Sequence, residues 1–327
     1  MKPPSTLKTR KQLAALAVLS ACIASPTCAQ EFKYQNSYPV QDPGNAPELA
    51  FAPISLNASL SLAPAEATAG ATAPDSSQDE DSKSTEALAK KTQNPVADLI
   101  SVPFQNNFNF DFGPNNVTQY VLQFQPVIPI HLSEDWNLIT RTILPTINQP
   151  SPAPGIRSAF GLGDLNPSVF LSPAKPGALT WGVGPTFTFP TATDSLLGSG
   201  KYSAGPTVVA LTQPGHWVIG VLANNQWSFA GWGSRPVNAM FIQPFVNYNF
   251  HHGWYLASSP IITADWEANS RNRWTVPVGG GAGRIIKICG KLPINIQLTG
   301  YWNAQTPENL GAGWQLRFQF AFLFPSK

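Results

Sequence analysis

Residues 101–112 have the sequence SVPFQNNFNFDF, in which apolar and polar side chains alternate. The even positions are apolar except for Asn106, and the odd positions are Ser, Pro, Gln, Asn, Asn and Asp. Successive side chains of a β-strand point to opposite faces, so the pattern predicts a strand with one apolar and one polar face. A strand that separates lipid from water needs both faces.

The same alternation recurs along the chain, for example in WQLRFQFAFLF at 314–324. About twelve segments show it, each near the length needed to cross a bilayer at a tilt. The predicted spans are 100–112, 117–132, 136–148, 159–171, 179–191, 202–213, 216–229, 238–250, 254–265, 273–286, 292–303 and 312–324. The pattern is weakest in 202–213 and 216–229, where both faces are mixed. The sequence therefore predicts an all-β fold, a transmembrane antiparallel up-and-down β-barrel of about 12 strands.

The connections between the predicted strands alternate in length after the first one. Short turns such as 133–135 and 251–253 alternate with longer segments such as 148–158 and 192–201. Outer-membrane barrels have short periplasmic turns and longer outer loops. An even number of strands brings both termini to one side, so we expect a cell outer-membrane protein with both termini in the periplasm.

The ten tryptophans fall at two levels of the predicted barrel. Four begin strands just after short turns, and six lie at the opposite strand ends: Trp136, Trp181, Trp217 and Trp254, and Trp227, Trp232, Trp266, Trp274, Trp302 and Trp314. Aromatic girdles at the two membrane interfaces are typical of such barrels. A soluble β-sandwich could also carry tryptophans at its ends, but it needs neither turns of alternating length nor a Phe-rich outer face.

The amino-acid composition argues against a soluble domain and against a nucleic-acid-binding protein. Only 12 % of the residues are charged, against about a quarter in soluble domains. The net charge is +2 with no basic block after the N-terminal region, so nucleic acid is not an expected partner. The expected partners are outer-membrane lipids, the barrel-assembly machinery during biogenesis and a small-molecule cargo of unknown identity. No cofactor is expected.

Residues 1–29 have the features of a secretory signal peptide. A basic n-region precedes the apolar stretch 13–19, and small residues follow. Cleavage after Ala29 fits a small-x-small site, whereas LSAC at 19–22 has the form of a lipobox in which Cys22 would be lipidated. Cleavage after Ala29 would leave Cys289 as a lone cysteine, so no intramolecular disulfide is expected.

The composition of residues 30–97 predicts a low-complexity periplasmic linker, which precedes the barrel at 98–327. The segment is rich in Ala, Pro, Ser and Thr and includes an acidic stretch at 75–81, so it cannot bury enough apolar surface to order itself. Residues 86–92 could form a short helix that ends at Asn94-Pro95, since the residue before proline disfavours the α region. This helix could plug the lumen or merely lead into the barrel.

Several motifs resemble a known family. They are LAKKTQNPVA at 88–97, LISVPFQNN at 99–107, GLGDL at 161–165, GPTF at 184–187, GP at 205–206, QPFVNYN at 243–249 and FLFP at 322–325. Together they resemble outer-membrane proteins filed under phenol-degradation pathway proteins, some of which are labelled neuromedin U or transporter. The resemblance covers about residues 88–327. It implies an outer-membrane barrel with a transport role, and it brings no established substrate or functional residues.

Few charged side chains lie within the predicted strands. By the alternation, five face the interior, namely Asp111, Arg141, Asp164, Asp265 and Arg317. A charge on the lipid face near mid-membrane costs about 2–4 kcal/mol, which also favours the interior. These residues could form a selectivity ring or contact the cargo. They could equally form ion pairs and hydrogen bonds that fill a narrow lumen. Arg141, Arg317 and Asp164 are the set to test first.

Glycines are dense at 279–283 and recur at Gly161 and Gly163. Neither group is a phosphate-binding loop, because no GK[ST] and no helical pattern follows. In a barrel, glycines allow sharp curvature or leave room for a plug or a bulky neighbour.

Catalysis is not expected. An outer-membrane lipid hydrolase needs a nucleophile with a base beside it at the outer level of the membrane. The predicted topology places all four histidines at periplasmic turns, namely His131, His216, His251 and His252, and no G-x-S-x-G occurs. The sequence predicts a passive channel or transporter for small molecules, with hydrophobic or aromatic molecules among the candidates. A closed structural barrel is the main alternative, and a lipid hydrolase is the least favoured one.

Overall fold

The computed structural model describes residues 76–175, 177–232, 235–288 and 292–325. The predicted signal peptide, Cys22, Cys289 and residues 30–75 of the predicted linker lie outside the described residues. Within the described part of the chain, no helix is both long and apolar enough to cross a membrane.

Strands account for most of the described chain. They are β1 (Leu99–Phe112), β2 (Val117–Phe124), β3 (Val127–His131), β4 (Trp136–Gln149), β5 (Ala159–Leu162), β6 (Asn166–Pro173), β7 (Leu179–Thr188), β8 (Lys201–Thr212), β9 (Trp217–Gly231), β10 (Asn238–Asn249), β11 (Trp254–Ser258), β12 (Ile262–Asp265), β13 (Trp274–Ile288), β14 (Leu292–Gln305) and β15 (Trp314–Pro325). Three long strands are each made of two segments, β2 with β3, β5 with β6, and β11 with β12, which leaves twelve strands around the barrel.

Each strand pairs antiparallel with the next one along the chain, and the last pairs with the first. The register of β1 on β15 runs from Leu99 opposite Pro325 to Phe110 opposite Trp314. Closure of the sheet on itself removes the free strand edges that an open sheet would expose. The predicted twelve-stranded antiparallel barrel is therefore confirmed, including the two weakest strands, which are β8 and β9.

Apolar side chains cover the outer face. Phe104 packs on two neighbouring strands, with its ring centre 5.0 Å from that of Phe320 and 5.2 Å from that of Phe124. Val278 and Leu298 are each at least half exposed. Exposed apolar side chains in such number are costly in water and favourable in lipid, so the outer wall has the surface of a membrane barrel.

The two ends of the barrel differ. Short connections, such as 132–135 and 250–253, lie at one end, called here the turn end; longer ones, such as 189–200, lie at the opposite, loop end. At the turn end Trp136 and Trp181 meet edge to face, with their ring centres 6.0 Å apart. At the loop end Trp302 pairs with Trp314. The tryptophans thus form the two bands that the sequence predicts.

A single helix, α1 (Ser76–Thr92), precedes the barrel in the described residues. It ends at Thr92 as predicted, but it begins at Ser76 and not at Glu86. The prediction of the start was wrong because it took the composition of the residues before Glu86 as evidence against order.

The apolar core lies inside the barrel at the turn end. One cluster of buried side chains joins Leu88 and Ala89 of α1 to Tyr255, Ile285 and Leu323 of the wall. A second cluster surrounds Val96 and consists of Ile139, Phe170, Val209, Leu211, Val218, Leu222 and Phe245. Residues 84–98, called the plug below, therefore pack against the inner face of the wall at this end.

Candidate functional site in the barrel lumen

The plug is anchored by polar contacts as well as by apolar packing. Gln93 and Asn249 exchange two side-chain hydrogen bonds: Nε2 of Gln93 donates to Oδ1 of Asn249 at 2.8 Å, and Nδ2 of Asn249 donates to Oε1 of Gln93 at 3.1 Å. Nδ1 of His216 lies 3.2 Å from Oε1 of Glu86, and Nε2 of His131 lies 3.4 Å from Oδ1 of Asp98. These contacts hold the plug at the turn end.

A glycine in the barrel wall makes room for the plug. Gly182 is buried on the lumen face of β7, and a Cβ there would lie 3.1 Å from Cγ1 of Val96. Gly161 and Gly163 make room for the loop 189–200, because Cβ atoms on them would meet Leu197 and Thr193 of that loop. The prediction that glycines leave space for a neighbour thus holds at Gly161 and Gly163, and Gly182 adds a position that the sequence did not indicate.

Side-chain amides form a hydrogen-bonded row along the lumen wall of β1, β2, β4 and β15. The row is called the amide ladder, and its amides are Gln125, Gln123, Gln105, Asn107, Gln315, Asn109, Gln119 and Gln149. Arg317 connects Asn107 to Gln315. Its side-chain bonds are 2.7 to 3.2 Å long, apart from a shorter bond between Gln119 and Gln149. The ladder offers both donors and acceptors to the lumen, because each amide carries an N–H₂ group and a carbonyl oxygen.

Two arginines belong to the ladder. Nη2 of Arg141 donates to Oε1 of Gln125 at 2.9 Å. Arg317 is only 3 % exposed; its Nε donates to Oδ1 of Asn107 at 3.2 Å and its Nη2 to Oε1 of Gln315 at 2.9 Å. Its guanidinium carbon lies 4.9 Å from the centre of the Tyr301 ring. The inward direction predicted for both arginines therefore agrees with their surroundings.

The other predicted site residues lie apart from these arginines. Asp164 accepts hydrogen bonds from the backbone N–H groups of Ala192 and Ser199, at 3.2 and 2.7 Å, and so holds the loop 189–200. Asp265 is at the loop end of β12, where it pairs with Arg235. The structure thus does not bring Asp164 together with Arg141 and Arg317.

Asp111 lies exposed at the loop end of β1. Its φ is +54°, and the pairing of β1 with β2 shifts register between Asn109 and Phe112. A bulge of this kind inserts one residue and reverses the alternation beyond it. Phe112 consequently lines the lumen cavity where the uninterrupted pattern would place it in lipid. The prediction that Asp111 faces the interior is therefore wrong, because the alternation does not reveal the bulge.

A cavity of about 280 Å³ lies above the ladder on its loop-end side. Ladder residues Gln105, Asn107, Asn109, Gln123 and Gln315 form part of its lining, and residues 306–312 of the connection between β14 and β15 form another part. On another part of the wall, hydroxyl groups interact: Oγ of Ser168 donates to Oγ1 of Thr186 at 2.8 Å. The lining of the cavity therefore presents amide groups with which a polar molecule could form hydrogen bonds.

Two loops are clasped together at the rim of the loop end. Nη1 and Nη2 of Arg157 donate to the two carboxylate oxygens of Asp194, each at 2.7 Å. The hydrogen bond from Arg157 lowers the pKa of Asp194, and the same bond raises the pKa of Arg157. This pair is exposed and fixes the loop 150–158 to the loop 189–200.

Within the described residues, no group of three or more His, Cys, Asp or Glu side chains could hold a metal ion. All four histidines lie at the turn end, as the predicted topology places them. The amide ladder was not singled out from the sequence. Its residues are the polar half of the alternation, but a row of hydrogen bonds depends on the strand register, which alternation does not specify.

The fold defines the chain as an outer-membrane-type β-barrel, and solved structures share it. The COG4313 outer membrane channel from Pseudomonas putida F1 matches with a TM-score of 0.54 and 17 % identity, over 69 % of this chain and 94 % of that one. The NanC porin (TM-score 0.44, 10 % identity, 68 % of this chain and 98 % of that one) is more distant. The outer membrane phospholipase A from Escherichia coli (TM-score 0.36, 11 % identity, 74 % and 98 %) is also more distant. No family model and no curated protein matches the sequence.

Proposed function

We propose that the protein is an outer-membrane channel that admits small polar molecules at the loop end and is closed at the turn end by its own plug. The observation that carries the proposal is the amide ladder, which runs from Gln149 near the loop end to Arg141 deeper in the lumen. The similar fold of a protein described as an outer membrane channel supports it. In this proposal the loop end faces outward, and the turn end with both termini faces the periplasm.

The chemistry of the ladder favours polar cargo. A hydrophobic molecule that displaced water from these amides would leave donors and acceptors unpaired, at about 1–3 kcal/mol for each. The resemblance to phenol-degradation outer-membrane proteins keeps hydrophobic or aromatic molecules as the alternative cargo. A molecule with both a ring and several polar groups would satisfy both arguments.

A closed structural barrel is the second candidate, because one observation favours it. The plug and the wall form two apolar clusters inside the barrel at the turn end, which is the packing of a permanent core. The two candidates differ in whether the plug leaves the lumen while the barrel stays folded. We expect no enzymatic activity, since the histidines lie at the end opposite to the one where a lipid hydrolase would need its base.

A matched pair of substitutions in α1 tests the channel. Ala89 is 1 % exposed against the barrel wall, whereas Ala87, two residues away, is exposed. In Ala89→Glu a carboxylate would be buried among apolar side chains, which costs several kcal/mol and expels the plug. Ala87→Glu adds the same charge in water and should leave the plug in place.

The measurement is single-channel conductance of the full-length refolded proteins in planar bilayers. We expect rare openings from the unchanged protein and from Ala87→Glu, and frequent, steady openings from Ala89→Glu. Folding is checked by heat-modifiable mobility on gels. Silence from all three folded proteins would contradict a channel and support the closed structural barrel.

A further inference from the structure

We infer that Arg141 and Arg317 form a binding site for the acidic group of a small organic anion, a carboxylate or a phosphate. The site would give the lumen its preference among solutes, so the inference rests on the proposed channel. It follows from the partners of these arginines, from a hydroxyl group opposite Arg317 and another in the cavity lining, and from the size of that cavity.

The hydrogen-bond partners of the two side chains are uncharged. Arg317 donates to two amide oxygens and, through Nη1, to the backbone oxygen of Ser259 at 3.1 Å. Arg141 donates to Gln125. Among the described residues, neither arginine forms an ion pair with a carboxylate.

Three of the arginines at the loop end behave differently, whereas a fourth, Arg273, donates to the backbone oxygen of Ala268. Arg157 pairs with Asp194, Arg235 with Asp265, and Arg271 approaches Glu308 at 4.0 Å. Those side chains are well exposed and need a counter-charge least, since water screens them. The lumen arginines are the more enclosed ones, and they lack a carboxylate within the described chain.

The two arginines are joined by one chain of hydrogen bonds, in which Gln125, Gln123, Gln105 and Asn107 lie between them. An enclosed charge without a counter-ion is costly, and a second like charge adds to the cost. An anion between or beside the two arginines would offset both the cost of burying each charge and the cost of placing two like charges in one lumen. The guanidinium group suits this task, because its planar fork donates two parallel hydrogen bonds to a carboxylate or phosphate.

Two threonine hydroxyls provide an independent indication. Thr299 is 1 % exposed and lies directly opposite Arg317 in the pairing of β14 with β15. Its Oγ1 has no hydrogen-bond partner within the described residues, and neither does Oγ1 of Thr306, which lines the cavity. Buried hydroxyls are normally hydrogen-bonded, so both are placed to donate to a bound solute.

The size of the cavity limits the ligand. About 280 Å³ is below the range of roughly 300–1,000 Å³ that is usual for drug-sized ligands. A short chain or a single ring fits, with its hydroxyl or amide groups on the ladder. Arg317 does not line the cavity but donates to two residues that do, Asn107 and Gln315, so an acidic group that displaces these amide oxygens would reach it. A sugar acid or a sugar phosphate has this chemistry.

Direct binding tests the site without requiring an open pore. The probes are gluconate, sorbitol 6-phosphate and uncharged sorbitol, which share a polyol chain, titrated calorimetrically into the full-length protein in detergent. We expect at least one anion to bind at least tenfold more tightly than sorbitol. Equal binding of all three, or no binding of either anion, would overturn the site.

Substitutions then locate the binding. Arg317→Gln and Arg141→Gln should each weaken anion binding by tenfold or more, and Thr299→Val should weaken it several-fold. Arg284→Gln is the control, because Arg284 is exposed, lies over Trp254 with its guanidinium carbon 4.9 Å from the ring centre, and loses the same charge. Anion affinity that is unchanged in all folded lumen variants would contradict the inference.

Failure of this site and failure of the channel give different results. In Ala89→Glu, a salt gradient of KCl should give a reversal potential that favours chloride, and adding Arg317→Gln should reduce that preference. Steady openings without anion preference would overturn the site and leave the channel intact. If the protein binds gluconate or sorbitol 6-phosphate but never conducts, the channel is overturned and the site stands.

Discussion

Gly182 illustrates how a single residue couples the barrel wall to the plug. Its Cα faces the lumen where Val96 packs, and a Cβ at this position would also lie 3.3 Å from Cγ1 of Val209. Two contacts of this tightness leave little room for adjustment. The wall at this position therefore fits the plug only while residue 182 has no side chain.

Gly182→Val should loosen the plug. Overpacking of this kind costs about 1–3 kcal/mol, so we expect trypsin to cleave after Lys90 and Lys91 on the order of tenfold faster. Gly300→Val is the control, because nothing lies within 4 Å of a Cβ at the exposed Gly300. Equal cleavage rates for the two folded variants would show that Val96 does not depend on this contact.

The alternation in the sequence predicts side-chain direction well within regular strands and poorly at irregular ones. Arg141 and Arg317 lie within β4 and β15, and both point inward as predicted. Asp111 lies in a bulge and Asp164 lies between β5 and β6, so the two-residue alternation no longer predicts which way their side chains point. Their positions depend on local backbone geometry that an average pattern does not contain.

At the scale of elements, strands and plug differ in how far the sequence predicts them. Each strand has lipid on one side and the lumen on the other, so its two-fold pattern is imposed by its surroundings. The plug has no such pattern, because only a few of its side chains, such as Leu88 and Val96, are buried. Its place inside the barrel becomes visible only when the wall residues that receive it are known.

The clasp between two loops is an element whose strength depends on pH. Because the bond from Arg157 lowers the pKa of Asp194, the carboxylate favours the clasped state when it is ionised. The contribution is complete above the unfolded pKa of about 3.9 and is lost as pH falls through the lower folded value. The clasp should therefore be intact at neutral pH, begin to weaken below about pH 3.9 and open only below the lowered pKa of Asp194.

Hydrogen exchange at the backbone N–H of Leu196 reports this change, since that group donates to Asp194 at 2.9 Å. We expect exchange in the unchanged protein to quicken only a few-fold on acidification, after correction for intrinsic rates, because an exposed ion pair is weak. Arg157→Gln should show the faster exchange already at neutral pH. A variant that exchanges like the unchanged protein at pH 7 would argue that the loops are held by other contacts.

At the scale of the whole molecule, the two ends of the barrel predict its orientation in the membrane. The turn end carries the plug and the start of β1, and the loop end carries the long connections and the cavity. A channel that takes solutes from outside requires its cavity to face outward and its plug to face the periplasm. The orientation therefore connects the proposed function to a measurement on intact cells.

Epitope insertions at the two ends check the orientation. Insertion after Asn269, in the exposed connection between β12 and β13, should be recognised by antibody on intact cells. Insertion after Glu134, in the exposed short turn between β3 and β4, should be recognised only after the outer membrane is permeabilised. Both sites lie outside the strands, so the barrel should tolerate them. The reverse pattern would place the plug at the cell surface, and solutes would then meet a closed apolar core before they reach the amide ladder.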